Sequence, residues 1–140
     1  MRLTTLLITL TLFSACREKQ SRNLQLQEQT VTGDRVEVIY FHGKQRCVTC
    51  KAIEKYTKEM VNAELVKNGK LRFKEVDIST PEGEKLAEKY RVSWSSLYVN
   101  KWKNGKEERN DMTRFGFQNA RNNTSAFKKE LKQKINELLK

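Results

Sequence analysis

The sequence is short of apolar residues, cysteine and glycine-rich loops, and each shortage narrows the range of functions. Hydrophobic residues make up 37% of the 140 residues, below the roughly 45–50% of ordinary globular chains. We therefore expect one small domain with a modest core. Three cysteines are awkward as a disulfide framework. No glycine-rich loop that could cradle a phosphate is present, so no organic cofactor is predicted.

No apolar run is long enough to span a bilayer as a helix. Leu3–Phe13 is apolar, but a spanning helix needs about 20 such residues, and polar residues begin at Arg17. A short positive start at Arg2, an apolar run and small residues before Cys16 are typical of a secretory signal peptide. We therefore predict a signal peptide over residues 1–15.

The residues that end this segment, Phe13-Ser14-Ala15-Cys16, resemble the lipobox of bacterial lipoproteins. The resemblance implies that Cys16 is lipidated and anchors the protein in the cell envelope, on the periplasmic or extracellular side of a membrane. Residues 16–34 are polar and rich in glutamine, which predicts a flexible tether. The alternative is an ordinary signal peptide followed by a chance cysteine.

The chain is strongly basic, with a net charge of +11, and this suggests anionic partners. Its lysines and arginines are nevertheless spread along the sequence. The densest stretch, Lys128–Lys140, alternates with apolar residues, as the solvated face of an amphipathic helix does. No nucleic-acid-binding motif accompanies the charge, so no nucleic-acid partner is predicted.

Residues 35–140 read as one domain of alternating strands and helices. The β-branched and aromatic run Val36–Phe41 predicts a buried strand, and helical spacing of apolar residues predicts a helix that begins near Cys47. Leu71–Ile78 alternates with a period of two, as a strand does. The later elements are a helix capped by Thr80, a strand at Leu97–Val99, a hairpin turn at Asn104-Gly105, a polar edge strand at Lys106–Asp111 and a final helix capped by Thr124 or Ser125. The predicted order is β-α-β-α-β-β-α.

The sequence Arg46-Cys47-Val48-Thr49-Cys50-Lys51 carries the candidate chemistry. A thiolate is the reactive form of cysteine, and the unpaired N–H groups at the start of a helix favour negative charge there. Arg46 and Lys51 add positive charge beside the pair, so we interpret them as thiolate-stabilising residues. Cys50 lies one turn after Cys47 and is well placed to resolve a mixed disulfide.

This element order, with C-x-x-C between a strand and a helix, resembles the thioredoxin-like family from about Arg35 to Lys140. The resemblance implies an α/β fold with a central mixed sheet flanked by helices, and thiol–disulfide exchange with protein thiols or disulfides and a separate redox partner. It assigns attack to Cys47 and resolution to Cys50.

The sequence departs from the family at the residues that usually surround the pair. The family's cis-proline position falls on Ser96, whose peptide bond is expected to be trans because cis bonds are almost confined to proline. The family's buried acid is replaced by Phe41. Trp94, Ser95 and Ser96 are predicted to line the substrate groove beside the sulfurs. From these departures we expect an activity that differs from that of an ordinary thioredoxin.

Two other classes of protein remain open. A C-x-x-C pair also suits a metal carrier, because thiolates bind copper, zinc or a bridged iron–sulfur cluster. The chain could alternatively be a tethered interaction module without turnover, since a fold does not fix a function. The one histidine, His42, is interpreted as a strand-end residue with a satisfied imidazole, and no metal ligand is assigned.

Overall fold

The computed structural model describes residues 33–65 and 68–140. The predicted signal peptide, the predicted lipid anchor at Cys16 and nearly all of the predicted tether lie outside the described residues. Within the described part, no helix is both long enough and apolar enough to cross a membrane.

Four strands form one mixed sheet in the order β2-β1-β3-β4. β1 pairs in parallel with β2 and antiparallel with β3, and β3 pairs antiparallel with β4. The bounds are Arg35–His42 for β1, Leu71–Asp77 for β2, Ser96–Lys103 for β3 and Lys106–Asp111 for β4. The predicted polar strand is therefore at the sheet edge, and the most apolar strand, β1, is central.

Four helices accompany the sheet in the described part, one more than the sequence pattern predicted. They are α1 (Val48–Leu65), α2 (Pro81–Tyr90), α3 (Thr113–Asn119) and α4 (Thr124–Leu138). The unpredicted α3 has only seven residues and contains Gly116, a poor helix former. Gly116 is buried against Ile53 and Phe127, so tertiary packing has outweighed intrinsic propensity.

Alternate residues of β1 serve two separate cores. Val36, Val38 and Tyr40 belong to the core under α1 and α4, whereas Ile39 and Phe41 belong to the core under α2. The predicted apolar stripe of α4 is buried in the first of these cores along its whole length (Phe127, Leu131, Ile135 and Leu138). The predicted α/β architecture with a mixed sheet flanked by helices is confirmed.

Most local signals are confirmed, and one helix cap differs. The side chain of Thr80 caps α2 as predicted, by accepting a hydrogen bond from the N–H of Gly83. At α4 the cap is Asn123, which accepts from the N–H of Ala126. Thr124 was one of the two predicted caps, but its hydroxyl instead donates to the carbonyl of Ala120. The start of α4 therefore lies one residue earlier than a Thr124 cap implies.

The turn after β2 leaves no room for a side chain at Gly83. A Cβ at this position would overlap the backbone carbonyl of Asp77, which itself accepts hydrogen bonds from the N–H and hydroxyl of Thr80. We predict that Gly83→Ala lowers the free energy of unfolding by at least about 2 kcal/mol, because the backbone of the turn must shift. Urea denaturation measures this change.

Gly69→Ala is the matched control, because a Cβ at Gly69 would meet nothing within 4 Å. It should leave the free energy of unfolding within about 0.5 kcal/mol of the parent, as surface substitutions usually do. Equal stability of the two variants would contradict the packing described for Gly83.

Candidate active site around Cys47 and Cys50

Cys47 and Cys50 form a disulfide at the start of α1, with their Cα atoms 5.1 Å apart. The loop that follows β1 brings the chain to this point, so the central strand fixes the position of the pair. Cys47 is exposed, whereas Cys50 is only 8% exposed. One sulfur is therefore accessible to another molecule, and the second is shielded behind it.

Cys47 occupies the capping position of α1. Its carbonyl accepts a hydrogen bond from the N–H of Lys51 at 3.1 Å, and its Sγ atom accepts one from the N–H of Cys50, also at 3.1 Å. The sulfur thus takes the place of the oxygen that a Ser, Thr or Asp cap would use. A donor N–H and the positive end of the helix dipole both favour negative charge on this atom.

The two basic neighbours of the pair have different surroundings. The guanidinium of Arg46 forms an ion pair with Glu54 and lies 4.0 Å from Glu75. Lys51 is exposed, and its ammonium forms no ion pair among the described residues. The positive charge of Arg46 is therefore largely balanced by carboxylates, which the sequence interpretation did not foresee. Stabilisation of a thiolate by either residue stays a prediction.

A cluster of charged side chains lies between α1, β1 and β2 beside the cysteine pair. Lys58 joins two carboxylates, with Nζ 2.7 Å from Glu54 and 2.8 Å from Glu75. His42 Nε2 lies 3.3 Å from the same Glu75. The imidazole is buried and partnered, as predicted. We call Arg46, Glu54, Lys58, Glu75 and His42 the charged cluster.

Sequence reasoning missed the acidic members of this cluster. One signal was present, because Glu54 follows Cys50 by four residues, and residues four apart share one face of a helix. Nothing in the local sequence of β2 indicated that Glu75 would face the cluster. Its placement depends on the parallel register that sets His42 opposite Asp77.

Burial and pairing shift the pKa values of three groups near the cysteines. Burial would raise the pKa of Glu54, but the hydrogen bond from Lys58 and the charge of Arg46 outweigh it and hold that pKa below its usual range. Hydrogen bonds to Glu54 and Glu75 raise the pKa of Lys58. Burial raises the pKa of Tyr40, whose hydroxyl donates to the carbonyl of Cys50 at 2.8 Å. The ion pair of Glu54 and Lys58 is therefore charged at neutral pH, and the hydroxyl of Tyr40 is neutral.

A surface groove runs beside the disulfide. Its lining includes both cysteines together with Trp94 and Ser95, two of the three predicted groove residues. Two of the large hydrophobic side chains that are exposed in the described part also line it, Trp94 at 69% and Phe117 at 37%, and a third, Val48 at 65%, directly follows Cys47 in the chain. Phe117 belongs to the unpredicted helix α3, so the sequence pattern gave no reason to place it here.

The structure differs from the prediction at Ser96, the third groove residue. Ser96 is 3% exposed, lies behind the groove lining, and its hydroxyl donates to the carbonyl of Trp94 at 3.2 Å. The described residues contain no cis peptide bond, which agrees with the trans bond expected before Ser96. Phe41, at the family's acid position, is fully buried against Tyr90 and Tyr98.

The metal-carrier alternative depends on how many ligating side chains lie close together. Within residues 33–65 and 68–140, no group of three or more His, Cys, Asp or Glu side chains is arranged to hold a metal ion. Two thiolates provide half of a four-coordinate site. A four-coordinate metal at Cys47 and Cys50 would therefore need two further ligands, from outside the described residues or from a second molecule.

Comparison with solved structures identifies the fold. A thioredoxin from Thermus thermophilus is 25% identical, with 71% of this chain matched to 72% of that one and a TM-score of 0.50. Thioredoxin O2 from Arabidopsis thaliana in the oxidised state is 24% identical over 53% of this chain and 59% of its own (TM-score 0.40). A thioredoxin from Fasciola hepatica is 24% identical over 60% and 75% (TM-score 0.41).

No protein-family model matches the sequence, and no curated protein matches it significantly. The fold assignment therefore rests on the Thermus thermophilus structure together with the strand order and pairing described above. The chain has a thioredoxin-like α/β fold, with a C-x-x-C pair at the start of its first helix.

Proposed function

We propose that the protein is a thiol–disulfide oxidoreductase, tethered to a membrane and working outside the cytoplasm. One observation carries the chemical part of this proposal. The exposed Sγ of Cys47 accepts the N–H of Cys50 at the start of α1, and the partner sulfur is buried behind it. An accessible sulfur that is favoured as an anion, with a second sulfur in bonding reach, is what exchange requires.

The reaction transfers two electrons between this pair and a substrate. In the reducing direction the Cys47 thiolate attacks a substrate disulfide, a mixed disulfide forms, and one substrate sulfur leaves as a thiolate. The Cys50 thiolate then attacks Sγ of Cys47. The second substrate sulfur leaves, and Cys47 and Cys50 end as a disulfide. The oxidising direction is the reverse, and a protein partner supplies or accepts the two electrons.

The groove supports a protein rather than a small molecule as the substrate. Trp94 and Phe117 line the groove together with Cys47 and expose apolar surface, and the next residue after Cys47, Val48, is also exposed. Burying apolar surface drives most protein association, and such exposed patches commonly mark binding sites. An extended segment that carries a cysteine flanked by apolar residues fits this arrangement.

The location outside the cytoplasm rests on the sequence. The apolar segment before Cys16 and the lipobox resemblance favour export and lipidation. Membrane attachment would then hold the exchange reaction close to other envelope proteins.

Trapping of the mixed disulfide tests the proposed exchange. We predict that the Cys50→Ser chain accumulates a covalent adduct with a disulfide-containing protein such as insulin, because the resolving sulfur is missing. Cys47→Ser is the matched control and should form no adduct through the pair, since Cys50 is buried; Cys16 is replaced by Ser in both variants. Non-reducing electrophoresis with mass spectrometry of the adduct measures both.

Two outcomes would contradict the proposed exchange. If the parent neither reduces insulin nor refolds a scrambled disulfide substrate, and Cys50→Ser traps nothing, the result favours an interaction module without turnover. If the purified chain retains about half an equivalent of metal, as sharing between two chains requires, the result favours a metal carrier.

Removal of the exposed aromatic rings should separate docking from chemistry. We predict that Trp94→Ala with Phe117→Ala raises the KM for a protein disulfide at least roughly tenfold, because a tenfold change needs a loss of only about 1.4 kcal/mol, less than the burial of one large side chain contributes. Reduction of the Cys47–Cys50 disulfide by dithiothreitol should keep its rate within about twofold, since this small reagent has no need of the patch. A parallel loss of both rates would show that the substitutions damage the site itself.

The ion pair of Arg46 with Glu54 should set the reduction potential of the pair. We predict that Glu54→Gln raises this potential by roughly 10–30 mV, because the charge of Arg46 beside Cys47 is then less balanced and the dithiol form is stabilised. Equilibration with glutathione or dithiothreitol buffers measures the shift. Glu59→Gln is the control: Glu59 lies on the same helix but pairs with the distant Lys128, so the potential should not change. A fall in the potential of Glu54→Gln would contradict the assigned balance.

A further inference from the structure

The end of the sheet opposite the disulfide carries a concentrated positive charge. β1 begins and β3 ends there, since Arg35 pairs with Trp102. A groove at this end is lined by residues that include five cations and a single carboxylate, Asp34. The cations are Arg35, Lys70, Lys101, Lys103 and Lys140. We call these five residues the basic pole.

The lysines of the basic pole have no salt-bridge partner within the described residues, although Glu108 lies opposite Lys101 in the sheet. Asp34 accepts a hydrogen bond from the backbone N–H of Asn104, which ties it to the hairpin turn. In the described part of the chain, none of the four lysines of the basic pole forms an ion pair with a carboxylate. Three lysines on α1 and α4 behave differently: Lys58, Lys128 and Lys132 each pair with a glutamate.

An aromatic ring completes the surface of the basic pole. Trp102 lines the same groove, with the guanidinium of Arg35 stacked 4.6 Å from its ring centroid. Its Nε1–H donates to Glu37, which holds the ring in place. Tryptophan beside lysine and arginine is the composition found where proteins meet the headgroup region of a membrane.

We infer that the basic pole docks on anionic lipid headgroups of the membrane to which the protein is tethered. The inference rests on the membrane attachment proposed above. The described chain begins at Gly33 and Asp34, in this same region, so a tether over residues 16–34 would lead from the membrane directly to the basic pole. Lysine and arginine close to an anionic leaflet are attracted to it within about a Debye length.

Docking in this manner gives the disulfide a defined orientation. Cys47 follows the carboxyl end of β1, and the basic pole surrounds the amino end of that eight-residue strand, so the two are about 25 Å apart. A bilayer against the basic pole leaves the groove beside Cys47 open to soluble or neighbouring envelope proteins. A redox partner must reach Cys47, and for this reason lipid fits the opposite end better than a protein partner does.

The two tryptophans of the chain report on this orientation, because Trp102 lies at the basic pole and Trp94 beside the disulfide. The full chain is reconstituted in vesicles that contain phosphatidylglycerol and a dansyl-labelled headgroup. Trp94→Phe leaves only Trp102 as the donor of energy transfer, and Trp102→Phe leaves only Trp94. We expect several-fold more efficient transfer from Trp102, since Trp94 precedes β3 and the stretch of that strand from Ser96 to Trp102 is about 20 Å long.

The charge dependence of this signal identifies its cause. In the Trp94→Phe background, Lys101→Gln, Lys103→Gln and Lys140→Gln together should reduce the transfer from Trp102 to the level seen in phosphatidylcholine vesicles. The matched control replaces Lys74, Lys85 and Lys129 by Gln, which removes the same charge from three exposed lysines elsewhere and should leave the transfer unchanged. Raising the salt from 0.15 to 1 M should also abolish the difference, because the Debye length falls from about 8 to 3 Å.

Several results would overturn the inference. Equal transfer from the two tryptophans, or a signal that survives loss of the three lysines, would show that the basic pole does not face the bilayer. A stronger response of Trp102 to a short oligonucleotide than to the vesicles would make the pole a nucleic-acid surface instead.

Flotation separates the proposed lipid anchor from the proposed docking of the basic pole. A chain that floats with phosphatidylcholine vesicles at 1 M salt is anchored, whatever its orientation. A chain that floats only with anionic vesicles at low salt lacks the anchor but keeps the basic pole.

Discussion

The hydrogen bond from the N–H of Cys50 to Sγ of Cys47 is the contact on which the proposed chemistry depends. It makes a sulfur the cap of α1 and places that atom where the first turn of the helix offers an unpaired donor. The rest of the fold holds this turn still. β1 is buried on both faces and ends just before the loop that leads to Cys47. The hydroxyl of Tyr40, on β1, donates a hydrogen bond to the carbonyl of Cys50. The apolar side chains of α1 pack the helix against the sheet.

The charges around the pair are arranged differently from what the sequence alone suggests. Arg46 precedes Cys47 directly, yet its guanidinium pairs with Glu54 and approaches Glu75. Stabilisation of a Cys47 thiolate would thus come mainly from the helix terminus. Arg46 would contribute only the part of its positive charge that its carboxylate partners do not balance. The resemblance to the thioredoxin-like family predicts a buried acid at the position of Phe41, which is apolar and fully buried. In the proposed exchange, the proton of Cys50 would therefore pass through water or another group.

The sequence predicted the strands, three of the four described helices and the location of the cysteine pair because these depend on local patterns. Val36–Phe41 alternates between two cores, Thr80 with Pro81 starts a helix by capping, and Asn104-Gly105 adopts the positive φ angles that its hairpin turn needs. The charged cluster, Phe117 and helix α3 depend on contacts between distant segments. Glu75 meets Lys58 only through strand register, and Gly116 is helical only because Ile53 and Phe127 pack against it. Such contacts produce no periodic pattern of residues, so they could not be predicted from the sequence.

The reduction potential of the Cys47–Cys50 pair in the full chain tests the central claim most directly. The protein is equilibrated in a series of thiol–disulfide buffers, and free thiols are counted by alkylation and mass spectrometry. Thiol–disulfide exchange predicts one two-electron transition between about −270 mV, the value for thioredoxin, and about −120 mV, the value for DsbA. A pair that stays reduced in buffers more oxidising than this range, or one that resists reduction below about −300 mV as structural disulfides do, would contradict the account.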